Sequence, residues 1–382
     1  MMSGQSSLQS RPRVCVIGAG PSGITTIKTL RDAGIENITC FEALDQIGGN
    51  WVYTDKPGHP SVYETTHVIS SKHRSQYSDF AMPADYPAYP SHKQILAYHQ
   101  NYAKYFGVPD KIQLNTRVES ASPLDGGGWQ VETTGPKGAK KHEFDYLVVC
   151  SGHHWDPFLP AYPGEFTGTQ IHAHDYRRAE SFRDKRVLVV GAGNSGCDIA
   201  CAISGVAAKT VISMRSPQVI FPKMFFGRPI DQMYYKVRSM PRFIRKAIAH
   251  FALWVSVGPY KRYGLPKPDT DILSMHPTLN SEIFDCLAHG MLEVRPGIEE
   301  LADHTVRFSD GSSEDFDAIV WATGYRISFP FFKGNLLDFD PNKSLKLYQQ
   351  IVPSNFSDLF FIGLLQPVGC IWNLSEYQAK YV

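Results

Sequence analysis

The chain has almost no net charge: 38 Lys and Arg stand against 37 Asp and Glu in 382 residues. No global field gathers nucleic acid or an anionic membrane, so a nucleic-acid partner is not expected. Long apolar runs are also missing. The longest candidate, AIAHFALWVSV (247–257), is too short to span a bilayer. The seven cysteines, an odd number, stand at 15, 40, 150, 197, 201, 286 and 370 with no C-x-x-C spacing. That argues against a disulfide scaffold and a zinc site, and fits a reducing compartment. The polar opening MMSGQSSLQSRPR lacks the apolar core of a signal peptide. Cytoplasmic residence is the expectation, with residues 1–11 disordered. No nucleophile–His–acid arrangement stands out.

The composition itself, 43% hydrophobic and 20% charged, is that of a globular protein, and the length suits two domains. The segment RVCVIGAGPSGITTIKTLRDAG (13–34) reads as strand, glycine turn and helix. Gly18, Gly20 and Gly23 make G-x-G-x-x-G. The first glycine permits the turn, the second admits a pyrophosphate, and the third lets helix and strand pack closely. The helix N-terminus offers free N–H groups to phosphate. A second strand, ITCFEA, ends at Glu42, placed to accept hydrogen bonds from ribose hydroxyls. DQIGGNW follows, where Gly48 and Gly49 allow a second close backbone approach; Trp51 is either a cover for a flavin or a core tryptophan.

The pattern recurs in KRVLVVGAGNSGCDIACAISGVAAKTVISMR (185–215), with Gly191, Gly193 and Gly196. Here the second strand leads to Arg215 in place of an acid. A carboxylate repels a 2′-phosphate, whereas a guanidinium grips it. The first unit is therefore expected to hold FAD and the second NADP, with NADPH donating hydride to the flavin.

Between and beyond these units, Ser91 caps an expected helix, 112–135 reads as a β-meander, and the proline-rich PFLPAYPG marks a crossing between domains. The expected layout is an FAD domain in 1–163, an NADP domain in 164–319 with a helical insertion near 223–265, and an FAD-domain return in 320–382. The fold class is α/β, two Rossmann-like domains with the NADP domain inserted into the FAD domain.

In EFTGTQIHAHDYR (165–177), Phe166, Gly168, His172 and Tyr176 follow F-x-G-x-x-x-H-x-x-x-Y. This resembles the identifying motif of the flavin-containing monooxygenases, a branch of the class B flavoprotein monooxygenases. GAGPSG, GGNW, CSGHH, GAGNSG and ATGY stand around it in the family's order, so the resemblance runs from about 12 to 382. It implies cofactor contacts from Gly18, Gly20, Pro21, Ser22 and Gly23, from Gly49, Asn50 and Trp51, from Gly191, Gly193, Asn194, Ser195 and Gly196, and from Thr323 and Gly324, beside Glu42 and Arg215. It implies that NADPH reduces FAD, that a flavin hydroperoxide forms with dioxygen, and that one oxygen atom passes to a soft nucleophile such as an amine or sulfide. Exclusion of water is then the protein's main chemical contribution.

Two departures stand out. Family members that oxygenate amines carry asparagine in a segment resembling N-S-S-K, and this chain has Ile69 there, in THVISSK. Isoleucine offers no hydrogen bond. No catalytic residue is assigned; Ser70 or His67 is a candidate substitute, and carbonyl (Baeyer–Villiger) oxygenation or release of hydrogen peroxide stays open. The second departure is the end: NLSEYQAKYV reads as a helix capped by Ser375, whereas relatives continue further. A metal is not expected at His153, His154, His172 or His174, because no carboxylate or cysteine stands at ligand spacing. Cys197 and Cys201 read as core packing. The basic, aromatic stretch 236–250 is a membrane-surface helix, a solvated helix or a lid. A homodimer is compatible with all of this.

Overall fold

The computed structural model describes residues 12–56, 59–268, 271–273, 277–334, 336–337, 345–367 and 369–382. The expected disorder at 1–11 falls outside them. Two five-stranded parallel sheets organise the chain. The first has the order 359–361, 146–149, 14–17, 38–41, 112–113. Its central strands are continuous apolar runs (VCVI, ITCF, YLVV), as befits strands covered on both faces. Successive residues alternate between two cores: Val14 and Val16 join Ile24, Ile27 and Tyr102 on one face, while Cys15 and Ile17 join Trp129, Leu147 and Phe361 on the other.

The second sheet has the order 169–172, 318–321, 186–190, 209–214, 293–296. Val187 and Val189 face one core, Leu188 and Val190 the other. Strand Ala318–Trp321 is wholly inside this sheet. The chain therefore returns to the first sheet only after Trp321, and a boundary at 319/320 would divide a strand. The return is completed by Leu359–Phe361, which pairs with 147–149. The doubly wound α/β architecture, one unit interrupting the other, follows directly.

Local expectations hold with two adjustments. Ser91 precedes the helix His92–Tyr105, and its N–H donates to Gln94 Oε1 at 2.9 Å, half of a capping box. The meander consists of 117–123, 129–135 and 138–144, whereas Ile112–Gln113 pairs in parallel with the second strand. The last helix runs from Ile371 to Tyr381. Ser375 is thus inside the helix and fully buried, not its cap. Its hydroxyl meets the Ser22 hydroxyl at 2.8 Å, a contact across 353 positions that no local pattern encodes.

The insertion forms the helices Ile230–Val237 and Arg242–Ser256 and a short turn at 260–263. Pro241 separates the two helices, because a proline cannot donate into a continuing helix. Among the described residues, no helix is long and apolar enough to cross a membrane.

Candidate functional site

Both glycine turns adopt the geometry their sequences call for. Gly18 has φ +98°, and a Cβ there would lie 2.8 Å from the Cys150 carbonyl oxygen. A Cβ on Gly23 would overlap the Gly18 carbonyl oxygen. The helix Pro21–Asp32 starts at Gly20 with no side-chain cap, which leaves its first N–H groups to a ligand. The second turn repeats this. Gly191 has φ +107°, Gly196 packs on the Gly191 carbonyl, and the helix Asn194–Ser204 starts at Gly193, again without a side-chain cap.

The surroundings of the two turns differ. Gly20 lies against Gly49, whose own φ is +56°, and a Cβ on Gly20 would meet Gly49 Cα at 3.5 Å. Glu42 Oε2 accepts from Ala19 N–H at 2.7 Å and Oε1 from Leu44 N–H at 2.9 Å. Burial raises the Glu42 pKa, and these backbone donors only partly offset it. A Cβ on Gly363, in the turn after the return strand, would overlap the Ser22 side chain. Trp51 is half-buried and lies edge-on to Trp372 at 5.7 Å, in the first core. By contrast, a Cβ on Gly193 would meet nothing within 4 Å.

Behind the second turn stands the short segment 278–280. Thr278 Oγ1 donates to the Ala192 carbonyl at 3.1 Å, and Leu279 N–H donates to Asn194 Oδ1 at 2.9 Å. Asn280 Nδ2 donates to Asp198 Oδ1 at 2.6 Å. Tyr63, from the first unit, donates to Asp198 Oδ2 at 3.0 Å. Burial raises the pKa of Asp198 despite these donors. Arg215 directly follows the strand 209–214, is exposed, and has no hydrogen-bond or ion-pair partner among the described residues.

The histidine-rich motif serves the join between units. Phe166 and Tyr176 are core residues, and a Cβ on Gly168 would strike the Phe166 ring and the Asp317 carbonyl oxygen. Arg177 donates to the carbonyls of Thr54, His59 and His174, tying the motif to the first unit. His172 Nδ1 accepts from His174 N–H at 3.0 Å. His154, His172 and His174 all contact the ring of Tyr325, at 5.4, 5.2 and 6.3 Å. Burial lowers the pKa of His154 to about 3 and also lowers that of His172. No group of three His, Cys, Asp or Glu that could hold a metal occurs among the described residues. Thr323 donates to the Phe158 carbonyl, and Phe158 N–H donates to the Gly324 carbonyl at 3.0 Å, so this pair fastens the two crossings together.

Ile69 is half-buried. Ser70, the candidate substitute, is buried and hydrogen-bonded to Ser75 at 2.8 Å. The hydroxyl left without a partner in this segment is that of Ser71. The sequence also gave no signal for Gly363, Tyr63 or 278–280, whose positions depend on long-range packing.

Residues 11–382 match the family model described as flavin-binding monooxygenase-like. The chain belongs to that family. It is 35% identical to dimethylaniline monooxygenase [N-oxide-forming] 2 of Macaca mulatta, over 97% of this chain and 72% of the relative. It is 36% identical to flavin-containing monooxygenase 5 of Oryctolagus cuniculus, over 97% and 72%. Among solved structures it resembles the S-allyl-L-cysteine S-oxygenase of Allium sativum, with TM-score 0.73, 25% identity, and coverage of 97% of this chain and 75% of the other. The flavin-containing monooxygenase of Stenotrophomonas maltophilia shares the fold, with TM-score 0.74, 20% identity, and coverage of 97% and 96%. This chain is accordingly an NADPH-dependent flavoprotein monooxygenase with FAD and NADPH as cofactors and dioxygen as co-substrate. The two uncapped helix N-termini, each behind a glycine turn, fit two dinucleotides.

Proposed function

We propose that the chain oxygenates a soft nitrogen- or sulfur-containing small molecule. Relatives named for N-oxide formation and S-oxygenation support this substrate class. The observation that carries the two-cofactor assignment is the contrast between Glu42, enclosed at the first turn, and Arg215, free at the second.

In this reading Gly18, Gly20, Pro21, Ser22 and Gly23 receive the FAD pyrophosphate, with Gly49 and Asn50 closing over it. Each oxygen of Glu42 holds one backbone N–H and keeps a second lone pair for a ribose hydroxyl. Gly191, Gly193, Asn194, Ser195 and Gly196 receive NADP, and Arg215 pairs with its 2′-phosphate. Asn194 Oδ1 is committed to Leu279 N–H, so Asn194 meets the nucleotide through its backbone N–H or its Nδ2 donors. Trp51, Thr323 and Gly324 line the cofactor sites, with the Thr323 hydroxyl spent on the Phe158 carbonyl. When bound, the flavin supplies the redox and oxygen chemistry, and the protein supplies orientation and a dry surround. Ile69 contributes apolar exclusion of water rather than a hydrogen bond. Residence in the cytoplasm and an NADP unit spanning about 164–321 complete the proposal.

Ile69 also favours a second reading, in which oxygen transfer is loosely coupled and hydrogen peroxide is released. The test is to supply ¹⁸O₂, NADPH and, in turn, a tertiary amine, a thioether and a cyclic ketone. Label in the amine or thioether product, with peroxide well below NADPH consumed, is expected. Label only in an ester from the ketone, or peroxide equal to NADPH consumed, overturns the N- and S-oxygenation reading.

A further inference from the structure

Tyr63 belongs to the first unit by sequence, yet its side chain lies in the core of the second. Its ring meets Tyr176 edge-on at 5.6 Å. The short arm that carries it is fixed through its backbone. Val62 N–H donates to the Asn50 carbonyl at 3.0 Å, and Glu64 N–H to the Arg177 carbonyl at 2.9 Å. Tyr63 N–H itself donates to Thr66 Oγ1 at 3.1 Å. Asn50 directly follows Gly49, which lies against Gly20 of the first glycine turn. The arm is therefore attached to the loop that closes on that turn.

At its other end the arm reaches the second turn. The Tyr63 hydroxyl donates to Asp198 Oδ2 at 3.0 Å. Burial first, and then the Asp198 charge, push the Tyr63 pKa well above its ordinary value, so the hydroxyl keeps its proton and stays the donor. Asp198 stands one helical turn after Asn194, in the helix that starts at Gly193. Its other oxygen accepts from Asn280, in the second unit's own segment 278–280. One carboxylate thus ties the helix to both units. Among the described residues, Tyr63 is the one first-unit side chain hydrogen-bonded to this helix. The other ties across the joint, from Arg177 and Thr323, end on loop carbonyls.

Each nucleotide is seated by its own turn, so the separation of hydride donor and acceptor is set where the units meet. Transfer between two held groups is steep in their separation. We propose that Tyr63 is a positioning residue for hydride transfer, which fixes the second glycine turn relative to the flavin loop by holding Asp198. This rests on the assignment of FAD to the first turn and NADPH to the second. Tyr63 touches neither reacting atom in this role and acts through the helix that Asp198 belongs to.

The experiment mixes FAD-loaded protein with NADPH in an anaerobic stopped-flow cell. The readouts are the limiting rate of flavin bleaching, the NADPH concentration at half that rate, and the long-wavelength absorbance of nicotinamide stacked on flavin. Tyr63→Phe keeps the ring on Tyr176 and removes only the hydroxyl. Its limiting rate is expected to fall by about ten- to a hundredfold, with weaker stacking absorbance and little change in the half-saturating NADPH. Asp198→Asn offers one oxygen to two donors, so it is slowed as well. Asp198→Asn/Asn280→Asp restores both bonds: the new amide oxygen accepts from Tyr63, and its NH2 donates to the new carboxylate. This pair is expected to recover the parent rate, and it carries the test if Tyr63→Phe fails to fold. Bleaching of Tyr63→Phe at the parent's limiting rate overturns the proposal, as does a change confined to NADPH affinity, or a folded, yellow double variant that stays slow. A parent chain that NADPH does not bleach would overturn the cofactor assignment and this inference together.

Discussion

The first glycine turn is enclosed and the second is open, although their sequences are nearly the same. At the first, Glu42 and Gly49 from the following strand and loop, and Gly363 and Ser375 from the return segment, surround the turn. At the second, the segment 278–280 supports the turn from behind, a Cβ on Gly193 would meet no protein atom within 4 Å, and Arg215 is exposed. The first arrangement suits a resident cofactor, because release requires several elements to part. The second suits one that arrives and leaves each cycle.

The largest test of this contrast exchanges the two packing glycines. Gly23→Ala and Gly196→Ala each place a methyl on a backbone carbonyl that cannot move aside. Gly23→Ala is expected to yield colourless, flavin-free or unfolded protein. Gly196→Ala is expected to stay yellow and to lose flavin bleaching by NADPH under anaerobic conditions. A colourless Gly196→Ala protein would break the comparison. Next in size is Glu42→Ala, which strands the N–H groups of Ala19 and Leu44 in a buried site, at roughly 1–3 kcal/mol each. Thermal melts of apo and FAD-loaded protein should show loss of both stability and flavin affinity; a change confined to NADPH would reverse the assignment.

Arg215→Ala should be milder. Losing charge-assisted bonds worth roughly 1.5–3 kcal/mol raises KM for NADPH by about ten- to a hundredfold, with little change for NADH. Equal effects on both nucleotides would remove Arg215 from the 2′-phosphate. The smallest effect concerns Glu376 in the last helix. Burial raises its pKa, but Ser78 and Lys380 outweigh that and hold it below the ordinary 4.5. A depressed carboxyl stabilises the fold above its unfolded pKa, and that contribution is lost as pH falls below about 4.5 through the folded value. Denaturant melts of Glu376→Gln at pH 7 and pH 4 should show a deficit of about 1–2 kcal/mol at pH 7 that shrinks at pH 4. An undiminished deficit at pH 4 would mean that packing, not charge, is the contribution of Glu376.

The sequence alone determined both strand–turn–helix units, because each is specified within about thirty residues: an apolar run, glycines where a Cβ collides, and a helix-forming stretch. It also determined where Glu42 and Arg215 stand, since each directly follows a strand of fixed register. Only the tertiary structure decided what those groups touch. Glu42 turned to the Ala19 and Leu44 N–H groups, and Ser70 was paired with Ser75. The motif around His172 became a joint, with three imidazoles packed on the ring of Tyr325. Ser375 looked like a cap because serine is a favoured N-cap residue, whereas the helix starts at Ile371 and the Ser375 hydroxyl packs on Ser22 of the first helix. Local patterns fix backbone conformation over one or two turns, whereas a partner 353 positions away is chosen by how whole layers pack, which no window of sequence contains.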